Sequence, residues 1–241
     1  MKEKYKYHIK GKEEVVLSLH EDVFSPTGTS EEIIKAVSEN ISKPGKLLDL
    51  GCGSGIVGFA LQRMGIASNL YASDISLQAV NLVRKNAEEN NIDCEARDGG
   101  VFIPWAGEKF NYIVDDISGI SQEIAEISPW FKNTMCESGK DGADLVVEAI
   151  KQAPLYLLDG GKFFFPVLSL SNVDRIISSA ERVFENVERL SHKAWTLPDE
   201  MKPYIEKLKE LKNEGLINYE EKFGLTLWYT DIYVAYNSMK K

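Results

Sequence analysis

Alternating glycines after an acidic residue, at the end of an apolar strand, are the first feature that suggests chemistry. Asp49 precedes Gly51, Gly53 and Gly55, and a helix-forming run begins at Ile56. Alternating glycines allow backbone angles that a side chain would forbid, and they let a ligand lie against bare backbone. The helix that begins just beyond offers free N–H groups and the positive end of a dipole. The pattern predicts a ligand-binding turn between a strand and a helix.

Two more acidic residues end the next two predicted strands. Asp74 lies 23 residues after Gly51, where a carboxylate could accept hydrogen bonds from both hydroxyls of a ribose. Asp98-Gly99 ends the following strand and is placed to reach an adenine amino group. Ligands of doubly wound sheets bind outside the carboxyl ends of the strands, near the switch in strand order. The three strand ends together predict a cofactor that contains a nucleoside.

The register of the glycines discriminates between two classes of cofactor. A nicotinamide enzyme needs G-x-G-x-x-G straight after the strand, with a pyrophosphate on the helix N-terminus. That pattern can be formed from Gly53, Gly55 and Gly58, but it then starts two residues late, and in the register from Gly51 the third position holds Ile56. S-adenosylmethionine (SAM) has no pyrophosphate, and a looser turn preceded by an acid suits its amino-acid tail. The sequence favours SAM, with a nicotinamide oxidoreductase as the alternative.

Alternating strands and helices position these residues. The predicted strands are 46–50, 69–73, 94–96, 110–114, 162–167, 187–195 and 225–236, and the predicted helices are 31–41, 56–64, 77–90, 144–157 and 173–184, with a turn at 160–161. Such alternation is typical of a parallel sheet covered by helices on both faces. We therefore predict an α/β, doubly wound Rossmann-like fold.

Two segments fall outside this alternation. Residues 4–20 predict a β-hairpin, so we divide the chain into an N-terminal hairpin extension at 1–28 and a SAM-binding domain at 29–241. A helical insertion at about 197–222 precedes the last strand, with apolar residues at helical spacing from Met201 to Leu211. The insertion could be a lid over a pocket or a packed surface helix, and we slightly favour the packed helix.

Composition and charge narrow the class of protein. The chain has 241 residues, of which 44% are hydrophobic and 27% charged, and its net charge of −9 disfavours nucleic acid as a partner. No apolar run is long enough for a membrane span, and the N-terminus has no apolar signal core. Cys52, Cys94 and Cys136 are scattered, as are the three histidines. We expect a cytoplasmic protein with no metal site and no membrane partner.

Over most of its length the chain resembles the class I SAM-dependent methyltransferases. The glycine turn with Asp49, Asp74 and the third acidic strand end carries this resemblance. It implies methyl transfer from SAM and a fold that closes with an antiparallel last strand, which 225–236 would be, paired with 187–195.

Within that superfamily the chain is most similar to the HemK/PrmC-like, or "methyltransferase small", group. Residues 23–29, Val-Phe-Ser-Pro-Thr-Gly-Thr, resemble that group's V-x-x-P-R-P-E-T segment. Residues 110–116 match the strand that delivers its catalytic loop, and 139–142 with 158–161 resemble its G-x-D-G…L-x-P-G-G segment. The group methylates glutamine amides in release factors, and relatives act on exocyclic amines.

The sequence departs from this group at the catalytic loop. The group has N-P-P-Y, where the polar residue and the aromatic hold a planar amide, whereas this chain has Asp116-Ile117-Ser118-Gly119. Asp116 falls on the polar position and is the predicted catalytic residue, as a hydrogen-bond acceptor or base. Both prolines and the aromatic are missing. We therefore expect a different acceptor, a small molecule or a protein, with glutamine N5-methylation and a non-catalytic SAM-binding protein as alternatives.

The resulting set of predicted site residues follows four strand ends. Asp115 is expected beside the methionine moiety of SAM, and the side chain of Cys52 is expected to be small filler in the turn. The predicted cofactor-binding residues are Asp49, Gly51, Cys52, Gly53, Gly55, Asp74, Ile75, Asp98, Gly99 and Asp115.

Aromatic residues offer a further candidate site. Trp105, Trp130, Trp195 and Trp228 with Phe131 could form an aromatic pocket for the acceptor. For each of them packing in the core is the favoured interpretation. Trp130-Phe131, in an irregular stretch, is the exception.

Overall fold

Strands and helices alternate along most of the chain, as predicted. The computed structural model describes residues 4–117, 119–134 and 136–239. Within these ranges the elements are β1 (Lys4–Tyr7), β2 (Val15–Ser18), α1 (Gly28–Asn40), β3 (Gly45–Leu50), α2 (Ile56–Arg63), β4 (Ala67–Asp74), α3 (Leu77–Glu89), β5 (Cys94–Asp98), β6 (Phe110–Asp115), α4 (Gln122–Ile127), α5 (Asp144–Tyr156), β7 (Leu157–Leu168), α6 (Val173–Glu181), β8 (Phe184–Thr196), α7 (Ile205–Asn213), β9 (Glu220–Lys222) and β10 (Leu225–Ser238). Short 3₁₀ helices span Ile103–Trp105, Pro129–Phe131 and Asp199–Tyr204.

The main sheet has the strand order β5-β4-β3-β6-β7-β10-β8, with β9 on β10. The pairs β5/β4, β4/β3, β3/β6 and β6/β7 are parallel, whereas β10 is antiparallel to β7, β8 and β9. The chain runs outward from β3 in one direction and then resumes at β6 on its other side. This confirms the α/β doubly wound fold with an antiparallel last strand, and it places the switch in strand order between β3 and β6.

Both faces of the sheet are buried, because helices cover each of them. Successive side chains of a strand point to opposite faces. On β7, Phe164 packs in the same apolar cluster as residues of α1, α2 and α3, whereas Phe163 and Phe165 pack in a second cluster with α5 and α6. All three phenylalanines have no exposed surface. The run of consecutive apolar residues in β7 is therefore explained by burial on two sides.

The two segments outside the alternation also form as predicted. β1 and β2 make an antiparallel hairpin in which Lys4 pairs with Ser18. In the insertion, Leu208 and Leu211 of α7 are buried in a third apolar cluster that includes Ile124 of α4 and Trp228 of β10. The insertion is thus a packed helix at the edge of the sheet, while the domain boundary at residue 28 stays a prediction.

The predicted turn at residues 160–161 is instead a bulge inside β7. Phe110 pairs with Leu157, whereas Tyr112 pairs with Lys162, so β7 has three more residues than β6 over this stretch. The first of the two glycines has a φ of +71°, which a glycine adopts without strain. The turn prediction was wrong because the bulge uses the same residue types as a turn.

Two elements were not predicted, α4 and β9. They are six and three residues long, too short for a periodic pattern to identify them. Within the described ranges, no helix combines the length and apolarity needed to cross a bilayer.

Candidate functional site

A cavity of about 660 Å³ opens at the carboxyl edge of the sheet, where sequence analysis placed the cofactor. The loops that follow β3, β4, β5 and β6 line it, together with the segment that leads into α1. Residues near the ends of β7, β8 and β10 form the remaining wall. The cavity therefore lies at the switch in strand order, where ligands of open α/β sheets bind.

The glycine loop after β3 is held between the neighbouring strands by backbone hydrogen bonds. The Gly51 N–H donates to the Ser73 carbonyl at 2.8 Å, and the Asp116 N–H donates to the Leu50 carbonyl at 2.9 Å. Gly51 has a φ of +78°, and a Cβ there would lie 2.9 Å from the backbone of Ile117. A side chain at this position would push apart the loops after β3 and β6, so the sequence requires glycine here.

Asp74 joins the glycine loop to the end of β4. Its Oδ2 accepts a hydrogen bond from the Gly53 N–H at 3.0 Å, and its Oδ1 accepts one from the Ser76 N–H at 2.9 Å. Burial raises the pKa of this carboxyl, and the two backbone donors oppose that rise. An ionised carboxylate offers about four lone-pair sites, so acceptor capacity remains for a ligand. Ile75, the next residue, is 67% exposed and also lines the cavity.

The end of β5 contributes backbone rather than the predicted carboxylate. The Gly99 N–H donates to the Asp74 carbonyl at 3.0 Å, and the segment 99–101 lines the cavity. Asp98 is exposed and does not belong to the lining. The predicted strand end thus borders the cavity, whereas Asp98 itself lies outside the cavity wall.

Asp49, Asp115 and Gly55 lie behind the cavity wall. Asp49 is 1% exposed, and its Oδ2 accepts a hydrogen bond from the Gly58 N–H at 2.9 Å; burial raises its pKa to about 7. Asp115 is fully buried and accepts a hydrogen bond from the Ile117 N–H at 2.9 Å, and burial raises its pKa well above the usual range. Gly55 is the N-cap of α2. These three residues hold the loops and the helix that shape the cavity.

Asp116 faces the cavity at the end of β6. Its Oδ2 accepts a hydrogen bond from the Ser30 hydroxyl at 2.8 Å. Burial raises the pKa of this carboxyl to about 8, with a smaller contribution from Asp49, and the Ser30 hydrogen bond opposes the rise. Ile117 and Gly119 line the cavity next to it, while Ser118 lies outside the described residues. Sequence analysis missed Ser30, because nothing in its spacing links the first turn of α1 to β6.

The aromatic residues divide into two groups. Trp105 is fully buried and packs edge-on against Tyr71 and Phe110, so it belongs to the core. Five other rings line the cavity, and we call them the aromatic compartment: Phe24, Trp130, Phe131, Trp195 and Trp228. Trp105 packs in the core only, whereas Trp130, Phe131, Trp195 and Trp228 pack in or against the third apolar cluster and also line the cavity. Sequence analysis did not identify Phe24 as a member, although its segment carried the family resemblance.

The Asp, Glu, Lys, Arg and His positions of the described lining are occupied by acidic residues alone. Its acidic members are Asp22, Asp74, Asp116 and Glu137, and among the described lining residues there is no lysine, arginine or histidine. A cavity with this lining favours a cation and disfavours a phosphate or pyrophosphate.

Comparison with known proteins agrees with the fold and with the location of the cavity. The methyltransferase small domain matches residues 15–116, so the match ends at the residue where the cavity-facing loop begins. A putative protein N5-glutamine methyltransferase of Methanocaldococcus jannaschii is 28% identical over 149 residues, which are 62% of this chain and 74% of that protein. A release factor glutamine methyltransferase of Geobacter sulfurreducens is 26% identical over 147 residues, 58% of this chain and 51% of that protein. The match therefore spans only about half of the bacterial relative.

A solved structure gives the same result for the fold. A 16S rRNA methyltransferase of T. thermophilus, in complex with AdoMet and guanosine, superposes with a TM-score of 0.60 at 14% identity over 98% of this chain and 50% of that one. Such low identity supports the fold alone. Together, the sheet order and the solved structure show a class I methyltransferase fold, and residues 15–116 of this chain are similar to the methyltransferase small domain.

Proposed function

We propose that this protein binds SAM in the cavity and transfers its methyl group to an acceptor that enters beside Asp116. The observation that supports this best is the meeting of Gly51, Gly53, Asp74 and the segment 99–101 around one cavity, at the ends of three adjacent parallel strands. When bound, SAM supplies an electrophilic methyl group on a sulfonium. The chain's own task is to bind, orient and exclude water, because in-line alignment contributes most to such a transfer.

Each part of the lining suits one part of SAM. Asp74 has unused lone pairs for the ribose hydroxyls, and the loop from Gly51 to Gly53 lines the part of the cavity that we assign to the amino-acid tail. The segment 99–101 would contact the adenine through backbone and Val101, while contact from Asp98 stays a prediction from the sequence. Asp49 and Asp115 support these loops from behind.

The acidic lining favours SAM over a dinucleotide cofactor, and it disfavours a nucleic-acid acceptor. A dinucleotide would bring a pyrophosphate into a cavity whose described wall holds four acidic residues and no basic one. The same argument, with the net charge of −9, disfavours a nucleic-acid acceptor, although a structural neighbour acts on rRNA. We propose a small-molecule or protein acceptor, and a cytoplasmic location from the three unpaired, scattered cysteines.

Asp116 is our candidate for the residue that orients the acceptor or removes its proton. It faces the cavity, and a pKa near 8 suits proton exchange at neutral pH. Glutamine N5-methylation remains a second candidate, since two relatives are named for it. Against it, the segment after Asp116 lacks the stacking aromatic.

Calorimetric titration with SAM, S-adenosylhomocysteine and NADH in parallel tests the cofactor. We expect micromolar binding of the first two and none of the third, and binding of NADH alone would contradict the proposal.

Turnover with an acceptor pool then tests catalysis. Asp116→Asn should keep SAM affinity within about threefold while it lowers turnover at least tenfold, within the range for a lost acid–base group. Asp159→Asn, an exposed acid on the β7 bulge, is the control. SAM binding without any turnover would favour the non-catalytic alternative.

A further inference from the structure

The rings of the aromatic compartment pack against one another along the cavity wall. The ring centroids of Trp130 and Trp228 are 5.3 Å apart, and those of Trp228 and Trp195 are 6.1 Å apart. The ring centroids of Phe24 and Phe131 are 4.9 Å apart. These rings come from four separate parts of the chain, so only the tertiary structure assembles them.

The fold fixes the orientation of Trp195, which stands at one end of the series of tryptophans. The Trp195 Nε1–H donates to the Thr230 hydroxyl at 3.0 Å, which lies 3.2 Å from the Thr29 hydroxyl. On the other side of the ring, a Cβ at Gly28 would lie 2.4 Å from the indole. Trp195 is therefore held in one orientation by contacts that a loosely packed surface ring would lack.

Acidic side chains accompany the aromatic wall. Asp116 and Glu137 line the same cavity, and the described lining contains no basic side chain. One cation already stands near the wall, since Lys193 Nζ lies 5.5 Å from the Trp195 ring centroid, outside the lining. The faces of aromatic rings attract cations, and nearby carboxylates add to that attraction.

We propose that the aromatic compartment binds the methyl acceptor as an organic cation, an alkylammonium. This deepens the proposed methyltransferase function and rests on it. The compartment selects a positively charged amine over a neutral molecule of the same shape, and more strongly over an anion.

The transfer balances for such an acceptor. The ammonium nitrogen first loses a proton to a carboxylate, Asp116 or Glu137, and gains a free lone pair. That lone pair forms the new N–C bond to the methyl group. The electrons of the broken C–S bond stay on the sulfur, which becomes a neutral thioether, and the methylated amine leaves as an ammonium. No oxidant, reductant or metal is needed.

Three probes of nearly the same shape and different charge test the selection. They are choline, its neutral carbon isostere 3,3-dimethylbutan-1-ol and the anion 3,3-dimethylbutanoate, titrated by ligand-detected NMR into protein saturated with S-adenosylhomocysteine. Cation–π contacts contribute about 0.5–2 kcal/mol, so choline should bind about 2- to 30-fold more tightly than the isostere. The anion should bind most weakly. Equal or tighter binding of the isostere would overturn the proposal.

Two substitutions test whether the aromatic compartment causes the preference for choline. Trp130→Leu and, separately, Phe131→Leu should reduce the preference for choline over the isostere at least twofold, whereas Phe223→Leu should not change it, because Phe223 is 91% exposed and outside the lining. Binding of S-adenosylhomocysteine reports whether each variant is folded. If the wild-type protein fails to bind S-adenosylhomocysteine, the proposed function fails; if it binds but shows no preference for choline, the acceptor class alone fails.

Discussion

Replacing Asp74 by asparagine tests the proposed cofactor site most directly, because this carboxylate holds the glycine loop and is our candidate for the ribose contact. Its two oxygens accept the N–H groups of Gly53 and Ser76 at 3.0 and 2.9 Å. Asparagine has a single oxygen, so one of these donors would face an NH₂ group instead. The lone pairs that we assign to the ribose hydroxyls would be lost with the charge.

The expected loss of SAM affinity follows from these contacts. Hydrogen bonds to a charged group contribute about 1.5–3 kcal/mol, which corresponds to about 10- to 150-fold weaker binding. Asp74→Asn should therefore weaken SAM and S-adenosylhomocysteine by similar factors within that range, because both ligands carry the same ribose. A difference between the two would instead indicate that the carboxylate acts mainly on the sulfonium.

Isothermal calorimetry on three variants supplies the measurement. Asp159→Asn is the control, and Asp98→Asn tests the exposed acid at the next strand end, for which we expect a change within about threefold because the side chain is outside the cavity wall. Thermal unfolding of each variant without ligand distinguishes destabilisation of the glycine loop from the loss of a ligand contact alone. Unchanged SAM affinity in Asp74→Asn would refute the ribose assignment, and a larger loss in Asp98→Asn would restore the adenine contact that the sequence predicts.

The remaining predictions concern the glycine loop and the buried carboxyl behind it. Gly51→Ala should destabilise the protein by about 1–3 kcal/mol and weaken SAM binding, because a Cβ at a φ of +78° would also lie 2.9 Å from the Ile117 backbone; an unchanged denaturant midpoint would contradict this close approach. The pKa of Asp49 is raised from 3.8 to about 7, so its contribution is fully present below pH 3.8 and is lost as the pH rises through 7. Relative to Asp49→Asn, the wild-type protein should lose up to about 1.4 kcal/mol of unfolding free energy per pH unit between pH 4 and 7. Urea unfolding across that range measures it, and a flat difference would show that Asp49 ionises normally in the fold.

The sequence by itself was sufficient for the fold class, and it pointed to the edge of the sheet at which the cavity opens. The spacing of apolar residues and the composition identify the strands and helices. A parallel sheet covered on both faces needs apolar strands separated by amphipathic helices. The glycines at 51, 53 and 55 and the acid at 74 identify the site, because their functions depend on local backbone geometry. Such features are visible within a few residues of chain.

Other features depend on contacts between distant segments, and only the tertiary structure decided them. Asp98 and Asp74 both end strands, yet only Asp74 reaches the cavity wall, because side chains at a strand end point in directions that spacing does not reveal. Likewise, Trp105 and Trp228 both lie among apolar residues in the sequence. Both are buried, but only Trp228 also lines the cavity, because β10 inserts between β7 and β8 and carries Trp228 to the carboxyl edge.

The hydrogen bond from Ser30 to Asp116 is the clearest case of this limit. Its two residues are 86 positions apart, and neither the first turn of α1 nor the end of β6 carries a pattern that pairs them. The doubly wound topology brings both to one edge of the sheet, and burial there raises the pKa of Asp116 to about 8. The sequence determined which residue types stand at the strand ends; packing determined which of them face the cavity and in which protonation state.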